Sequence, residues 1–287
     1  MRSKDKKNLL YNSLLALILC LVCIVCILSV MLFLQTLEGQ DSSQQTSSSQ
    51  LALTQSSSSQ ESSKKEAESK PQELVKGSNH NQAASSYAYK AQDVRKLLYD
   101  SKASDKKIVF LTFDDGVNFE VTPKILDVLK AKQVPATFFV IGKTVGDKTR
   151  PLLERQIREG HAIGIHSYSH DYNRLFPGGV VDVNQVVKEV KETQASMQEV
   201  LGRDFHTAVW RYPGGHMSWK GTEELDASLK KLDVDWMDWN GMSGDAETPS
   251  ARPTTPSDML AYMEKSFYVA PDAKVRVILM HDASDKQ

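Results

Sequence analysis

Hydrophobic and polar positions follow three different patterns along the chain of 287 residues. From Leu14 to Leu34 the sequence is apolar and carries no charge over 21 residues. From about 35 to 86 it is dominated by Ser, Gln, Thr, Lys and Glu, with almost no aromatic residues. After Asp100, short apolar runs alternate with amphipathic stretches of helical period. The three patterns predict three kinds of structure.

The first pattern predicts a transmembrane helix at 14–34. At a rise of 1.5 Å per residue, such a stretch spans about 30 Å, the thickness of a bilayer's hydrocarbon core. Four basic residues precede it, between Arg2 and Lys7, and the first charge after it is Glu38. We therefore expect a single-pass type II anchor in the cell membrane, with residues 1–13 cytoplasmic and the rest extracellular. A cleaved signal peptide is the alternative, but its apolar region is normally about 7–15 residues long.

The second pattern predicts a disordered linker over 35–86. A composition so rich in Ser and Gln buries too little apolar surface to offset the entropy lost on ordering. About 50 residues of flexible coil have a root-mean-square reach near 40 Å. The segment would either hold a domain at a working distance from the membrane or act as a spacer of no particular length.

The third pattern predicts one β/α domain over 87–287, with a mainly parallel sheet or barrel. The predicted strands lie at 107–113, 136–142, 161–167, 208–212, 236–239 and 275–281. The predicted helices lie at 122–133, 149–160, 183–202, 222–233 and 255–267. The loops after the strands of such a barrel converge on one rim, so polar residues at the strand ends should meet there.

Composition and charge limit the kinds of partner and metal site that the chain can have. The chain has 35 basic and 36 acidic residues and a net charge of −1, so it offers no field for a nucleic-acid partner. All three cysteines, Cys20, Cys23 and Cys26, lie in the apolar stretch, so the predicted domain has no thiol for a disulfide or a thiolate metal site. A metal site in this domain would have to use Asp and His.

Polar residues of this kind do follow the predicted strands. They are Asp114, Asp115, His166, His170, Arg211, Asp238 and His281. Asp115, His166 and His170 would supply one oxygen and two imidazole ligands, the composition of a catalytic zinc-type site with an open position. Asp114 would then be free to take a proton from water. A lone His-x-x-x-His pair also fits an exposed helix face, and a lone Asp-Asp-Gly fits a turn, but together they favour the metal site.

Five motifs, in this order, resemble those of the polysaccharide deacetylases related to the chitooligosaccharide deacetylase NodB, carbohydrate esterase family 4. They lie at 112–116 (TFDDG), 166–170 (HSYSH), 211–215 (RYPGG), 235–239 (DWMDW) and 279–281 (LMH). The resemblance covers about 107–282. It implies a distorted (β/α) barrel and an enzyme that removes the acetyl group from N-acetylglucosamine in a polymer.

The resemblance also implies roles for the motif residues. Asp114 would be the general base, oriented by Arg211, and Asp115, His166 and His170 would be the metal ligands. One divalent ion is expected, with Zn²⁺ first and Co²⁺, Ni²⁺ or Mn²⁺ as alternatives, because an Asp/His₂ site accepts several such ions.

On the acid side, His281 would be the general acid, oriented by Asp238. A backbone N–H near Gly214 would stabilise the oxyanion. At Gly214 the sequence departs from the commonest family pattern, in which an aromatic residue follows the proline. This change puts the substrate range in question. Four side chains would border the acetyl pocket and the cleft: Trp239, Leu279, Tyr168 and Tyr212.

The expected function is therefore de-N-acetylation of N-acetylglucosamine in a cell-wall polymer, with peptidoglycan as the first choice. A wall-attached polysaccharide or its linkage unit is the close alternative. A catalytically dead carbohydrate-binding protein and a structural tether acting through the Ser-rich segment are less favoured. The expected partners are the cell-wall glycan and the membrane, and neither a nucleic acid nor a protein partner is expected.

Overall fold

The structure is a computed structural model and describes residues 72–98 and 105–283. The predicted anchor at 14–34 and most of the predicted linker lie outside the described residues. Within the described residues, no helix is both long enough and apolar enough to cross a membrane.

Parallel strands form a single sheet in the described part of the chain. They are β1 Ile108–Asp114, β2 Thr137–Val140, β3 Ala162–Ile165, β4 Val209–Trp210, β5 Asp235–Trp236, β6 Gly241–Met242 and β7 Val275–His281. Their order across the sheet is β5-β4-β3-β2-β1-β7-β6. The long strands β1 and β7 pair in register from Ile108 opposite Val275 to Asp114 opposite His281. All the C-terminal strand ends therefore lie on one rim.

The sheet is curled. Trp236 ends β5 at one edge of the sheet, and Gly241 begins β6 at the other. In a flat sheet these edges would lie about 29 Å apart, six spacings of about 4.8 Å. The five residue steps from 236 to 241 reach only about 18 Å when fully extended. The chain can therefore join the two edges only because the sheet curls. The predicted barrel is confirmed as a curled, parallel half-barrel.

Helices connect the strands. They are α1 Ala91–Leu97, α2 Thr122–Lys132, α3 Arg150–Arg158, α4 Tyr172–Leu175, α5 Val183–Leu201, α6 Thr222–Lys230 and α7 Pro256–Ser266. The five predicted helices are confirmed as α2, α3, α5, α6 and α7, whereas α1, α4 and strand β6 were not predicted. Both α2 and α3 carry a proline in the first turn, where the missing N–H has no helical partner to lose.

Both faces of the sheet are apolar, as is usual for parallel strands. Phe138 packs on the outer face with residues of the helices, such as Leu126 and Leu153. The next residue, Phe139, points to the opposite face, where Val277 and Val94 of α1 complete a smaller cluster. The sheet is thereby fixed on both sides, and its rim is a rigid base for side chains.

Residues before the predicted domain boundary at 87 also pack on the sheet. The carbonyl of Asn79 accepts the N–H of Ile163 at 3.1 Å, and its side-chain amide donates to the carbonyl of Ile163 at 2.9 Å. Asn79 thus covers the edge of β3 where the short β4 does not reach. The packed structure extends back at least to Leu74, which forms a bridge with Asn81. Residues 74–81 have the polar composition of a linker, because hydrogen bonds attach this segment to the sheet more than burial of apolar side chains does.

Candidate active site

A cavity of about 310 Å³ opens at the C-terminal rim of the sheet. Eight of the residues predicted from the sequence line it: Asp114, Asp115, His166, His170, Gly214, Trp239, Leu279 and His281. Pairing of β1 with β7 brings together strand ends that lie more than 160 residues apart in the chain, those of Asp114 and His281.

Asp115, His166 and His170 place three ligand atoms close together. Oδ1 of Asp115 lies 3.3 Å from Nε2 of His166 and 3.3 Å from Nε2 of His170. All three ligand atoms lie within 4.8 Å of one another. Nδ1 of His166 lies 2.9 Å from the carbonyl oxygen of Arg211, which can only accept, so Nδ1 carries the proton and Nε2 presents its lone pair. The donor set fits a divalent cation.

Burial keeps the two histidines neutral. It lowers the pKa of His166, and the nearby charge of Asp114 only partly opposes this. Burial, followed by the neighbouring His166, lowers the pKa of His170 to about 3. A metal ion requires the neutral imidazole, so both residues are already in the ligand form at neutral pH.

Left-handed backbone conformations aim these ligands. The φ angles of Asp115, Ser167 and His170 are 75°, 61° and 55°, a region that residues other than glycine rarely adopt. The hydroxyl of Ser167 accepts the N–H of His170 at 2.9 Å. The loop therefore turns back so that His170 faces His166.

Glu189 of α5 holds this loop from behind. Its carboxylate accepts the N–H groups of Tyr168 and Ser169 at 3.0 and 2.8 Å, and the hydroxyl of Ser169 at 2.8 Å. Burial would raise the pKa of Glu189, but these hydrogen bonds outweigh it, and the pKa is lowered. Glu189 was not among the residues predicted from the sequence. The available signal is a carboxylate on the apolar face of α5, between the buried Val186 and Val190.

Arg211 lies fully buried inside the half-barrel and fixes Asp114. Its Nη1 donates to Oδ1 of Asp114 at 2.8 Å and to the hydroxyl of Thr112 at 2.7 Å, and its Nε donates to the carbonyl of Met237 at 2.9 Å. The guanidinium lies over the ring of Phe139, 4.1 Å from its centroid. The other oxygen of Asp114 faces the ligand group, 3.8 Å from Nε2 of His166. The structure thus places Arg211 and Asp114 together, as the resemblance implies.

His281 is held by Asp245. Nδ1 of His281 lies 2.9 Å from Oδ1 of Asp245, and its backbone N–H donates to Oδ2 at 2.7 Å. Burial alone would lower the pKa of His281, but the hydrogen bond to Asp245 and the charges of Asp114 and Asp245 outweigh it, so the pKa is raised. The same hydrogen bond lowers the pKa of Asp245 against its own burial. These contacts therefore favour the protonated form of His281.

The predicted pairing of Asp238 with His281 is wrong. The carboxylate of Asp238 accepts the backbone N–H of His216 at 3.1 and 3.0 Å, and burial raises its pKa. The reason lies in β6, which pairs with β7 so that Met242 stands opposite Leu279. The chain beyond Met242 therefore runs beside the end of β7 and delivers Asp245 to His281.

The prediction that Tyr168 and Tyr212 border the cleft is also wrong. Tyr212 has no exposed surface, and its hydroxyl donates to Asp226 at 2.6 Å. In an extended chain, adjacent side chains point to opposite sides. Because the side chain of Arg211 points into the barrel, that of Tyr212 points away from it. Tyr168 packs against Gly142, where an added Cβ would lie 2.5 Å from its ring. Neither tyrosine lines the cavity.

Six residues that line the cavity were not predicted: Tyr172, Met242, Gly244, Asp245, Ala246 and Glu247. Five of them lie in the segment 242–247, which begins with the last residue of the two-residue strand β6. The hydroxyl of Tyr262 on α7 donates to Glu247 at 2.6 Å and supports this segment. Its sequence has no hydrophobic period, and the only signal in it is a glycine followed by two carboxylates, Asp245 and Glu247.

Comparisons with known proteins agree with this geometry. Residues 101–235 match the family model described as polysaccharide deacetylase. The chain is 36% identical over 139 residues to the peptidoglycan-N-acetylglucosamine deacetylase PgdA of Listeria monocytogenes, covering 48% of this chain and 28% of that protein. It is 36% identical over 149 residues to a peptidoglycan-N-acetylglucosamine deacetylase of Bacillus cereus, covering 50% of each. The matched part thus spans half or less of the length of these two relatives.

Among solved structures, the chain resembles a Streptococcus mutans CE4 esterase, with 50% sequence identity and a TM-score of 0.72. The match covers 75% of this chain and 89% of that one. Identity at this level over nearly the whole of the other chain shows common family membership as well as a common fold. The chain belongs to the polysaccharide deacetylases of carbohydrate esterase family 4, a family of amide hydrolases.

Proposed function

We propose that this protein is a metal-dependent de-N-acetylase that acts on N-acetylglucosamine residues of cell-wall peptidoglycan and releases acetate. One observation carries the proposal: a three-ligand group, a buried carboxylate–guanidinium pair and a carboxylate–histidine pair surround a single cavity. The names of the Listeria and Bacillus relatives support peptidoglycan as the polymer.

Asp115, His166 and His170 would hold one divalent ion, for which we propose Zn²⁺ ahead of Co²⁺, Ni²⁺ and Mn²⁺. When bound, the ion would supply Lewis acidity to the acetamide carbonyl and to the attacking water. The side chains need no protonation change to bind it, because burial already favours the neutral form of both imidazoles.

The side chains around the ligands divide the proton transfers. Asp114, held by Arg211, accepts a proton from the water that attacks the acetamide carbon. The N–H of Gly214, on the cavity wall, is assigned to the developing oxyanion. His281 then gives its proton to the sugar nitrogen as the C–N bond breaks, with Asp245 keeping that proton in place beforehand. The products are acetate and a glucosamine residue.

Two apolar side chains suit the acetyl methyl group. Trp239 and Leu279 line the cavity beside the ligand group, and Leu279 is 8% exposed. We assign them to the methyl pocket, because an apolar contact there favours a methyl group over a polar or charged group.

We also propose that the predicted anchor at 14–34 holds the domain on the outer face of the cell membrane, within reach of the wall. The length and charge pattern of the segment support this. Protease treatment of intact cells tests it, since we expect digestion of the domain from outside. Protection in intact cells together with digestion in lysed cells would contradict it.

Acetate release tests the activity. The full-length chain in detergent, supplied with Zn²⁺, Co²⁺, Ni²⁺ or Mn²⁺, would be given purified peptidoglycan and, separately, purified wall polysaccharide. We expect acetate from peptidoglycan, and a loss of about 10²–10⁴-fold in Asp114→Asn, because general base catalysis contributes about that much. Asp147→Asn is the matched control, since that side chain is 90% exposed.

The other outcomes identify the alternatives. Acetate from wall polysaccharide but none from peptidoglycan would reject the proposed polymer and keep the chemistry. Glycan binding by the metal-loaded protein without acetate from either polymer, and with no difference between the wild type and Asp114→Asn, would make it a binding protein.

A further inference from the structure

The cavity wall at Gly214 has no side chain. The φ angle of Gly214 is +77°, in the left-handed region that favours glycine. A Cβ added there would lie 3.3 Å from the hydroxyl oxygen of Tyr172 and 3.3 Å from Cζ2 of Trp219. Strain and crowding therefore both oppose a side chain at this position, and whatever borders the mouth of the cavity here has to come from another element.

Tyr172 occupies that place. It is the first residue of α4, it lines the cavity, and its ring centroid lies 5.3 Å from that of the ligand His170 with the two planes tilted by 48°. It is also 42% exposed, whereas Phe176, one helical turn further on, is 2% exposed. An aromatic residue present only to fill the core would be buried like Phe176. Tyr172 instead presents ring surface and a hydroxyl at the cavity mouth.

The ring of Tyr172 is held firmly from behind. Its centroid lies 5.3 Å from that of Trp219 in an edge contact, and Trp219 stacks on Phe176 at 4.1 Å. The indole N–H of Trp219 donates to the carbonyl of Pro213 at 2.8 Å, which ties this aromatic group to the loop of Gly214. The carboxylate of Asp171 caps α4 by accepting the N–H of Asn173 at 3.0 Å. A ring fixed in this way loses little side-chain freedom on binding a ligand.

We propose that Tyr172 is the sugar-positioning residue of the cleft. Its ring packs against the pyranose ring whose acetamide group enters the cavity, and its hydroxyl forms a hydrogen bond with a hydroxyl of that sugar above Gly214. A pyranose offers both an apolar face of C–H groups and polar hydroxyls, and a tyrosine offers both kinds of contact. This inference rests on the proposed deacetylase function and adds the residue that recognises the sugar.

Two substrates separate sugar recognition from the chemistry. N-acetylchitotetraose has the sugar ring, whereas 4-nitrophenyl acetate has an acetyl group without a sugar, and both would be given to the full-length, metal-loaded protein. We expect Tyr172→Ala to raise KM for the tetrasaccharide about fivefold to tenfold, a typical effect of losing one aromatic contact. The effect on the aryl ester should be several times smaller. Tyr172→Phe keeps the ring and loses the hydroxyl, so we expect an intermediate KM.

The control is Tyr268→Ala, because Tyr268 is 77% exposed and lies outside the cavity. This variant should leave both activities unchanged. If Tyr172→Ala and Tyr172→Phe keep the wild-type KM for the tetrasaccharide, the proposal is overturned. Equal losses on the two substrates together with loss of bound metal would also overturn it, because Tyr172 would then act only by supporting His170.

Failure of the function itself has a different signature. A wild-type protein that hydrolyses the aryl ester but releases no acetate from any glycan would contradict the proposed function, and with it the role of Tyr172. Normal deacetylation by both Tyr172 variants would contradict only the role of Tyr172.

Discussion

The two sides of the cavity are built in different ways. On the ligand side, Asp114 is the last residue of the long strand β1 and Asp115 follows it, and the register of β1 against β2 and β7 is fixed over several residues. On the acid side, the side of the proposed general acid His281, Asp245 and Glu247 follow β6, which has only two residues. Hydrogen bonds with His281 and Tyr262 fix the positions of these two carboxylates. Strand register can thus place ligands at fixed sequence positions, whereas a loop lets a carboxylate come from a position that no strand motif marks.

The largest effect should come from breaking the ligand side. We expect His166→Ala to lose bound metal and about 10³-fold or more of the deacetylation rate, because the proposed ion would supply several kcal/mol of transition-state stabilisation. Asp115→Ala and His170→Ala should behave alike. His281→Ala, on the acid side, should keep its metal and only turn over more slowly. Metal content by mass spectrometry checks this, and an empty site in His281→Ala would show that the two sides are not separate.

Arg211 tests how far the ligand side depends on the barrel interior. Arg211→Met leaves the buried Asp114 carboxylate without its guanidinium, which should destabilise the fold by about 3–5 kcal/mol. Adding Asp114→Asn to this variant should recover much of the loss. Lys76→Met breaks the exposed pair with Asp204 and should cost less than about 1 kcal/mol. Urea unfolding measures all three, and equal losses in the two single variants would contradict the buried-pair argument.

Asp245 and Asp238 give the sharpest test of the acid side. Because its pKa is raised, His281 keeps its proton as pH rises. The deacetylation rate should therefore fall only above that pKa. Asp245→Asn removes a charge that raises the pKa of His281, so this pKa should fall and the alkaline loss of activity should move to lower pH. At neutral pH the rate should drop, because a smaller fraction of His281 is protonated. Asp238→Asn should leave the alkaline limb in place, and pH–rate profiles of both variants decide between the two carboxylates.

The smallest effect should come from Glu189, which supports the ligand loop without touching an ion. Glu189→Gln should weaken metal affinity about tenfold, at the lower end of what outer supporting groups contribute. The pKa of Glu189 is lowered, so its stabilising effect is complete above the ordinary value of 4.5 and is lost as pH falls through the lowered folded value. The wild type should therefore lose metal affinity more steeply than Glu189→Gln below about pH 4.5. Metal titration at two pH values measures this, and parallel losses would contradict the role of Glu189.

Much of the fold could be predicted because its signals are local. The five long helices show an apolar stripe, and β1 and β7 are mostly apolar, so each element is marked by its own residues. The short elements α4 and β6 carry too few residues to show a period. Residues 74–81 were assigned to a linker because backbone and amide hydrogen bonds, rather than apolar side chains, attach Asn79 to the sheet.

From the sequence alone, Asp115, His166 and His170 could be predicted to lie together, because parallel strands end on one rim and side chains at their ends meet there. The pairing of Asp114 with Arg211 was implied by the resemblance to the deacetylase family. Only the tertiary structure decided that His281 pairs with Asp245, which lies 36 residues away, rather than with Asp238. It also decided that Tyr172 lines the cavity and Tyr212 does not. Such choices depend on the register of β6 against β7 and on the direction in which each side chain leaves the curled sheet. Neither is encoded in the spacing of residues along the chain.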